Sequence, residues 1–143
     1  MGSISSANST FALGVTGLYA VPQPLMGFDV DDAFDSDSID VAEIKIGVDG
    51  LISAGFVFAT IPVSIHLQAD SPSISLFEAW YTAERAAMDK FTAFGTIVMP
   101  SVNKVYTLTN GILSKYSPMA SNKKVLAARS FTVTFESIIG VSA

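Results

Sequence analysis

Nine residues near the middle of the chain, Ile61 to Ala69, alternate strictly between apolar and other side chains, and then the period changes. Ile61, Val63, Ile65, Leu67 and Ala69 share one face; Pro62, Ser64, His66 and Gln68 share the other, the pattern of a strand with one buried side. Asp70-Ser71-Pro72 follows, a capping residue and a proline suited to a first helical turn. Residues 73–90 contain no Gly or Pro, and Phe77, Trp80, Ala83 or Glu84, and Ala87 recur at helical spacing beside Leu76 and Met88. The spacing predicts one helix over about 71–90, with Glu84, Arg85, Asp89 and Lys90 on its wet face. Trp80 and Tyr81 have the spacing of core packing with Phe77 rather than of base-stacking groups.

Both flanks of that helix read as strand. Phe11 to Ala20 is one expected strand, weakened by Gly14 and Gly17 and broken at Val21-Pro22-Gln23-Pro24. Ile39 to Val48 is another, with a phase shift that calls for a bulge near Ala42-Glu43. Asp49-Gly50 is a hairpin signal. Leu51 to Thr60 is apolar on both faces and is expected to be buried on both. After the helix come Phe91 to Met99, then Lys104 to Thr109, an Asn110-Gly111 turn and its return over Ile112 to Tyr116. Ser117 to Lys124 reads as a loop. A last long strand, Val125 to Ile139, turns Phe131, Val133 and Phe135 inward and Thr132, Thr134 and Glu136 outward. The expected fold class is mainly β (α+β): an antiparallel β-sandwich or barrel with one flanking helix. It occupies 11–143, behind a flexible or partner-docked arm at 1–10.

Charge is scarce and segregated. Residues 1–84 hold eleven of the thirteen carboxylates and one basic residue, Lys45; residues 85–143 hold seven of the eight basic residues and two acids. Only 15% of residues are charged while 50% are apolar, so the chain has more hydrophobic surface than a lone domain of this size needs to hide. A subunit interface is the natural sink. Opposite charge at different places on one subunit favours head-to-tail contacts.

Several chemistries are excluded. One histidine and no cysteine leave no zinc set, thiol nucleophile or disulfide framework. His66 has no serine in a recognisable nucleophile elbow. The acidic run from Asp29 fails the calcium-loop pattern at Ala33 and Phe34, and no cofactor is implied. Gly47 to Gly50 is a turn, not a phosphate loop. Gly50 to Ala69 is uncharged and long enough to span a membrane, but Pro62, His66, Gln68 and the strand alternation argue against insertion. The N-terminus lacks the basic residues of a secretory signal. The basic residues are spread over 85–129, too thin a patch to grip nucleic acid.

The order of features resembles the tail tube proteins of contractile-tailed bacteriophages and of phage-tail-like bacteriocins. It runs from the acidic region Phe28 to Val48 to the turn Gly47-Val48-Asp49-Gly50 and the alternating strand Ile61 to Ala69. The helix start Ser71-Pro72-Ser73, the segment Leu113 to Pro118 and the strand Arg129 to Glu136 complete it. The resemblance implies a non-enzymatic virion protein, assembled in the host cytoplasm, whose hexameric rings stack into the hollow tail tube through which DNA is delivered. Implied partners are further copies of the chain, the sheath, baseplate and tail terminator proteins, and a tape measure protein in the lumen. DNA passes without specific binding. An acidic wall would repel phosphates over a screening length of about 8 Å, so the lumen candidates are Asp29, Asp31, Asp32, Asp35, Asp37, Asp40 and Glu43. Inter-ring contact candidates are Lys45, Asp49, Lys115, Lys123, Lys124 and Arg129. The alternatives are a tube subunit of a secretion system or bacteriocin particle, and a monomeric β-sandwich binding module with aromatics clustered on loops.

Overall fold

The computed structural model of the chain describes residues 9–28, 34–36, 38–120 and 126–142. Expectations for Asp29, Asp31, Asp32, Asp37, Lys123, Lys124 and most of the N-terminal arm lie outside these residues. The elements run β1 (Thr10–Val15), β2 (Tyr19–Pro24), β3 (Phe34–Ser36), β4 (Ala42–Ile46), β5 (Ile52–Phe56), β6 (Ile61–Leu67), α1 (Ile74–Ala87), β7 (Ala93–Met99), β8 (Lys104–Lys115) and β9 (Arg129–Ser142). Seven strands form one antiparallel sheet in the order β2-β1-β7-β8-β9-β6-β3, while β4 and β5 form a separate hairpin.

Alternation places the core. Phe11, Leu13 and Val15 of β1, Val63, Ile65 and Leu67 of β6, and Phe131, Val133 and Phe135 of β9 are all buried, because successive strand side chains point to opposite faces. The sheet curls until its distant strands meet: Phe11 of β1 and Phe34 of β3 pack edge to face at 5.2 Å. The chain after β2 crosses the seam, with Phe28 bridging to Leu67. Of the expected alternatives it is nearer a barrel, left open: β2 and β3 are its free edges, and the segment after β2, not a strand ladder, bridges the seam. Helix α1 packs on the core-facing side, where Phe77 stacks on Phe131 at 4.4 Å and Trp80 is fully buried.

Four expectations are corrected. Phe11 to Ala20 is not one strand: the chain reverses at Thr16-Gly17-Leu18, and the supposed breaker Val21 to Pro24 belongs to edge strand β2. Leu25 donates its N–H to the Phe11 carbonyl at 2.7 Å, so by strand alternation Pro22 and Pro24 fall where an N–H would face away from the sheet. Proline is tolerated there. Second, Asn110-Gly111 is not a turn. Lys104–Lys115 is one continuous strand, and Thr109 and Asn110 form a bulge opposite Phe94, between the pairs Ala93↔Gly111 and Gly95↔Leu108. Asn110 takes φ 49°, and a Cβ on Gly111 would lie 2.5 Å from the Phe135 ring. The reversal between β7 and β8 is instead the 3₁₀ turn Pro100–Val102.

Third, the strand expected over Ile39 to Val48 begins only at Ala42, and Leu51 to Thr60 is not buried on both faces: every residue of β4 and β5 is exposed. Fourth, Glu84 is not on the wet face of the helix. It is buried, accepts the Trp80 indole N–H at 3.0 Å and the Phe91 amide N–H at 2.9 Å, and meets Lys90 Nζ at 3.1 Å. The reversal after α1 folds Phe91 and Lys90 back onto the helix and encloses the carboxylate. The helix start also works differently from a simple cap. Ser73 occupies the N-cap position without a side-chain capping bond; its hydroxyl accepts the Met26 N–H at 2.7 Å, and the Ser71 hydroxyl donates to the Met26 carbonyl. The two serines staple the seam-crossing segment to the helix.

Glu84→Ala removes the shared acceptor of two N–H groups and should cost about 3 kcal/mol of unfolding free energy. Urea melts of the variant and the wild-type chain measure this; an unchanged midpoint would show that the carboxylate contributes nothing.

Candidate assembly interface

The hairpin β4–β5 is built by its turn and by two matched alternations. Gly47 donates to the Leu51 carbonyl and Gly50 to the Gly47 carbonyl, both at 2.9 Å. The Asp49 carboxylate accepts the Leu51 N–H at 3.0 Å, and Gly50 supplies φ 82°, a conformation a side chain resists. The register pairs Ala42 with Phe56, Ile44 with Ala54 and Ile46 with Ile52. These six residues lie on one face, and none is polar. The other face pairs Glu43 with Gly55 and Lys45 with Ser53.

Among the described residues nothing packs on the apolar face. Ile44, Ile46, Ile52 and Phe56 are 62–73% exposed, and Val48 and Leu51 at the tip are equally open. Phe58, at the base, packs only edge to face on Phe56 at 4.9 Å and is otherwise in water. A two-stranded hairpin is marginal alone and needs a packing partner. Burying each large apolar side chain stabilises by roughly 1.5–3 kcal/mol, so a partner covering this face would gain several such terms. The polar face offers little in comparison: Lys45 and Glu43 lie 3.9 Å apart with both side chains exposed, a pair worth little in water.

The residues singled out from the sequence fall in different places. Glu43, Lys45 and Asp49 all sit on the hairpin, and Asp40 is exposed just before it. Asp35 lies on edge strand β3, and Lys115 is exposed at the end of β8. Arg129 is inside the protomer. It is 7% exposed, its guanidinium donates to the Ser117 carbonyl at 2.6 Å and pairs with Glu78 at 3.6 Å, and it lies over the Phe131 ring. The apolar face of the hairpin was missed. Its signal was present in Ile44 and Ile46 alternating before the Gly47–Gly50 turn and Ile52, Ala54 and Phe56 after it.

Asp35, His66 and Ser130 meet on the surface opposite the core, but not as a catalytic relay. His66 Nδ1 bonds the Ser130 hydroxyl at 2.8 Å, while Asp35 is 3.8 Å from Nε2, too far for the hydrogen bond that orients a general base. Among the described residues no three metal-ligating side chains come together, and no helix is long and apolar enough to cross a membrane.

This barrel with one flanking helix is a fold of contractile injection particles. The chain is similar to a chain of the extracellular contractile injection system PVC sheath/tube terminator in its extended state, at TM-score 0.65 and 10% identity over 99% of both chains. It is similar to one in the tube-terminating cap of the anti-feeding prophage, at 0.61 and 10% over 100% of this chain and 93% of that one. A chain of the six-fold symmetrised anti-feeding prophage baseplate matches at 0.59 and 11%, over 99% and 97%. No curated protein is significantly similar to it in sequence. The family model described as tail fiber protein gp32 matches residues 2–139, and the chain belongs to that family. By family it is a phage-tail protein, and its fold is tail-tube-like, shared with chains from tube-terminating structures.

Replacing Ile44 and Ile46 together with serine should leave the barrel's thermal stability within about 0.5 kcal/mol of wild type, as for other exposed positions, and abolish self-association. Light scattering across a concentration series checks it; undiminished association of the double variant would remove the hairpin face from the interface.

Proposed function

We propose that the protein is a ring-building subunit of a contractile tail, copies of which join head to tail through the β4–β5 hairpin into hexameric rings that stack as a hollow tube for DNA delivery. The observation that carries this reading is the wholly exposed apolar face of that hairpin. The six-fold particle among the structural relatives supports the ring number. Segregated charge supports heterologous contacts, which close into rings or propagate as tubes. Sheath, baseplate, terminator and tape measure proteins are the partners that such a ring would meet, in a virion or in a bacteriocin or secretion particle.

A second reading is a ring that ends the tube rather than extends it. Its support is the full-length likeness to chains from terminator and cap structures. Negative-stain electron microscopy of the purified full chain across a concentration series separates the two. Tubes that lengthen with concentration are expected of an extending subunit, and rings that never stack of a terminating one. Monomers alone at high concentration, with the chain folded, would overturn both.

Within this reading the acidic residues Asp35, Asp40 and Glu43, together with Asp29, Asp31, Asp32 and Asp37, line the DNA path. Lys45, Asp49, Lys115, Lys123 and Lys124 meet the next ring. Converting Asp29, Asp31, Asp32 and Asp35 to their amides should leave ring formation intact and lower DNA delivery by the particle. Unchanged infectivity of particles carrying the quadruple variant would sink the lumen assignment.

A further inference from the structure

We infer that the apolar face of the hairpin packs in trans on a second copy of this chain, against the outer face of β7, β8 and β9 at the end marked by Val98, Val105, Ile139 and Val141. This rests on the reading of the chain as a self-assembling subunit and adds the receiving surface.

The register across three strands builds that surface. Val98 pairs with Val105 and Val105 with Val141, so three valines form one cross-strand row; Thr96, Thr107 and Ile139 form the next row of the same face. The core lies on the opposite face, where Ile97 and Leu108 are buried. The β9 end of these rows is open, with Ile139 61% and Val141 53% exposed, while Val98 and Val105 are half-buried. These are β-branched side chains on a pleated surface. The hairpin presents its own rows, Ile46 with Ile52 and Ile44 with Ala54, at the same two-residue repeat. Two such faces meet as stacked sheets about 10 Å apart, with interdigitated side chains.

Charge selects a second copy as the occupant. Residues 40–56 carry Asp40, Glu43 and Asp49 against Lys45 alone. Strand β7 has no charged residue; β8 has Lys104 beside Val105 and Lys115 at its far end, and β9 has the buried Arg129 and, away from the valine row, the exposed Glu136. The charge at the receiving end is therefore Lys104, opposite in sign to the acidic arm, so the two surfaces of one chain attract each other between copies. With the hairpin tip directed toward the valine row, Asp49 approaches Lys104, the residue beside Val105. Donor and acceptor are different patches on the same chain, so each copy keeps one of each free after pairing, and the contact propagates.

The chain has no cysteine, which makes the test direct. The full-length double variant Ile46→Cys/Val141→Cys is oxidised at a concentration where light scattering reads assembly, beside a control that pairs Ile46→Cys with Val21→Cys on exposed β2. Circular dichroism verifies that both are folded. A non-reducing ladder of dimer, trimer and higher species from the first variant alone is the expected result. Assembly without that ladder, or an equal ladder from the control, overturns the docking site while leaving self-assembly standing. Absence of assembly in the folded wild-type chain overturns both. In parallel, Lys104→Glu, which leaves the hairpin turn untouched, should raise the concentration for half-assembly about tenfold by placing a carboxylate opposite Asp49; an unchanged half-assembly concentration overturns the proposed orientation of the arm.

Discussion

Strand β9 is the member on which the barrel depends. Its inward residues Phe131, Val133 and Phe135 are all fully buried, and it is hydrogen-bonded to β8 on one side and β6 on the other. Phe131 carries the helix through its stack on Phe77. Phe135 fits only because position 111 on β8 has no Cβ. That need explains why an Asn-Gly pair, ordinarily a reversal, sits inside a strand. The bulge absorbs the left-handed Asn110, and the strand continues past it.

The same economy leaves the hairpin outside. The core is filled by the seven-stranded sheet and one face of α1, so β4 and β5 have no share of it. A segment with six apolar residues on one face and polar residues on the other has solved half of a packing problem. Low overall charge has the same meaning. A family of tail proteins and a fold shared with particle components give that unfinished surface its context.

Buried polar groups do the joining where apolar packing cannot. Glu84 holds the turn after α1 by collecting the Trp80 and Phe91 N–H groups. Arg129 ties the start of β9 to the helix and to the chain after β8. Ser71 and Ser73 hold the segment that crosses the barrel seam. Each of these residues had a plausible surface or capping role in the linear sequence, and each was drawn inward by a segment distant in sequence or by a local reversal.

Local periodicity alone determined the alternating strand at Ile61–Leu67, the single helix after it, the inward aromatics of β9 and the Asp49-Gly50 hairpin, because side-chain direction follows a period of 2.0 or 3.6 whatever lies nearby. The mainly-β class followed from the same local signals. Only the tertiary structure decided that the prolines of β2 lie on an open edge, that Asn110-Gly111 is a bulge, that Glu84 and Arg129 are interior and that the Leu51–Thr60 stretch is bare. These depend on which strand neighbours which, and hydrophobic pattern records only that a face is to be covered. Whether the cover comes from the same chain or another copy is settled by how much core the fold has already filled.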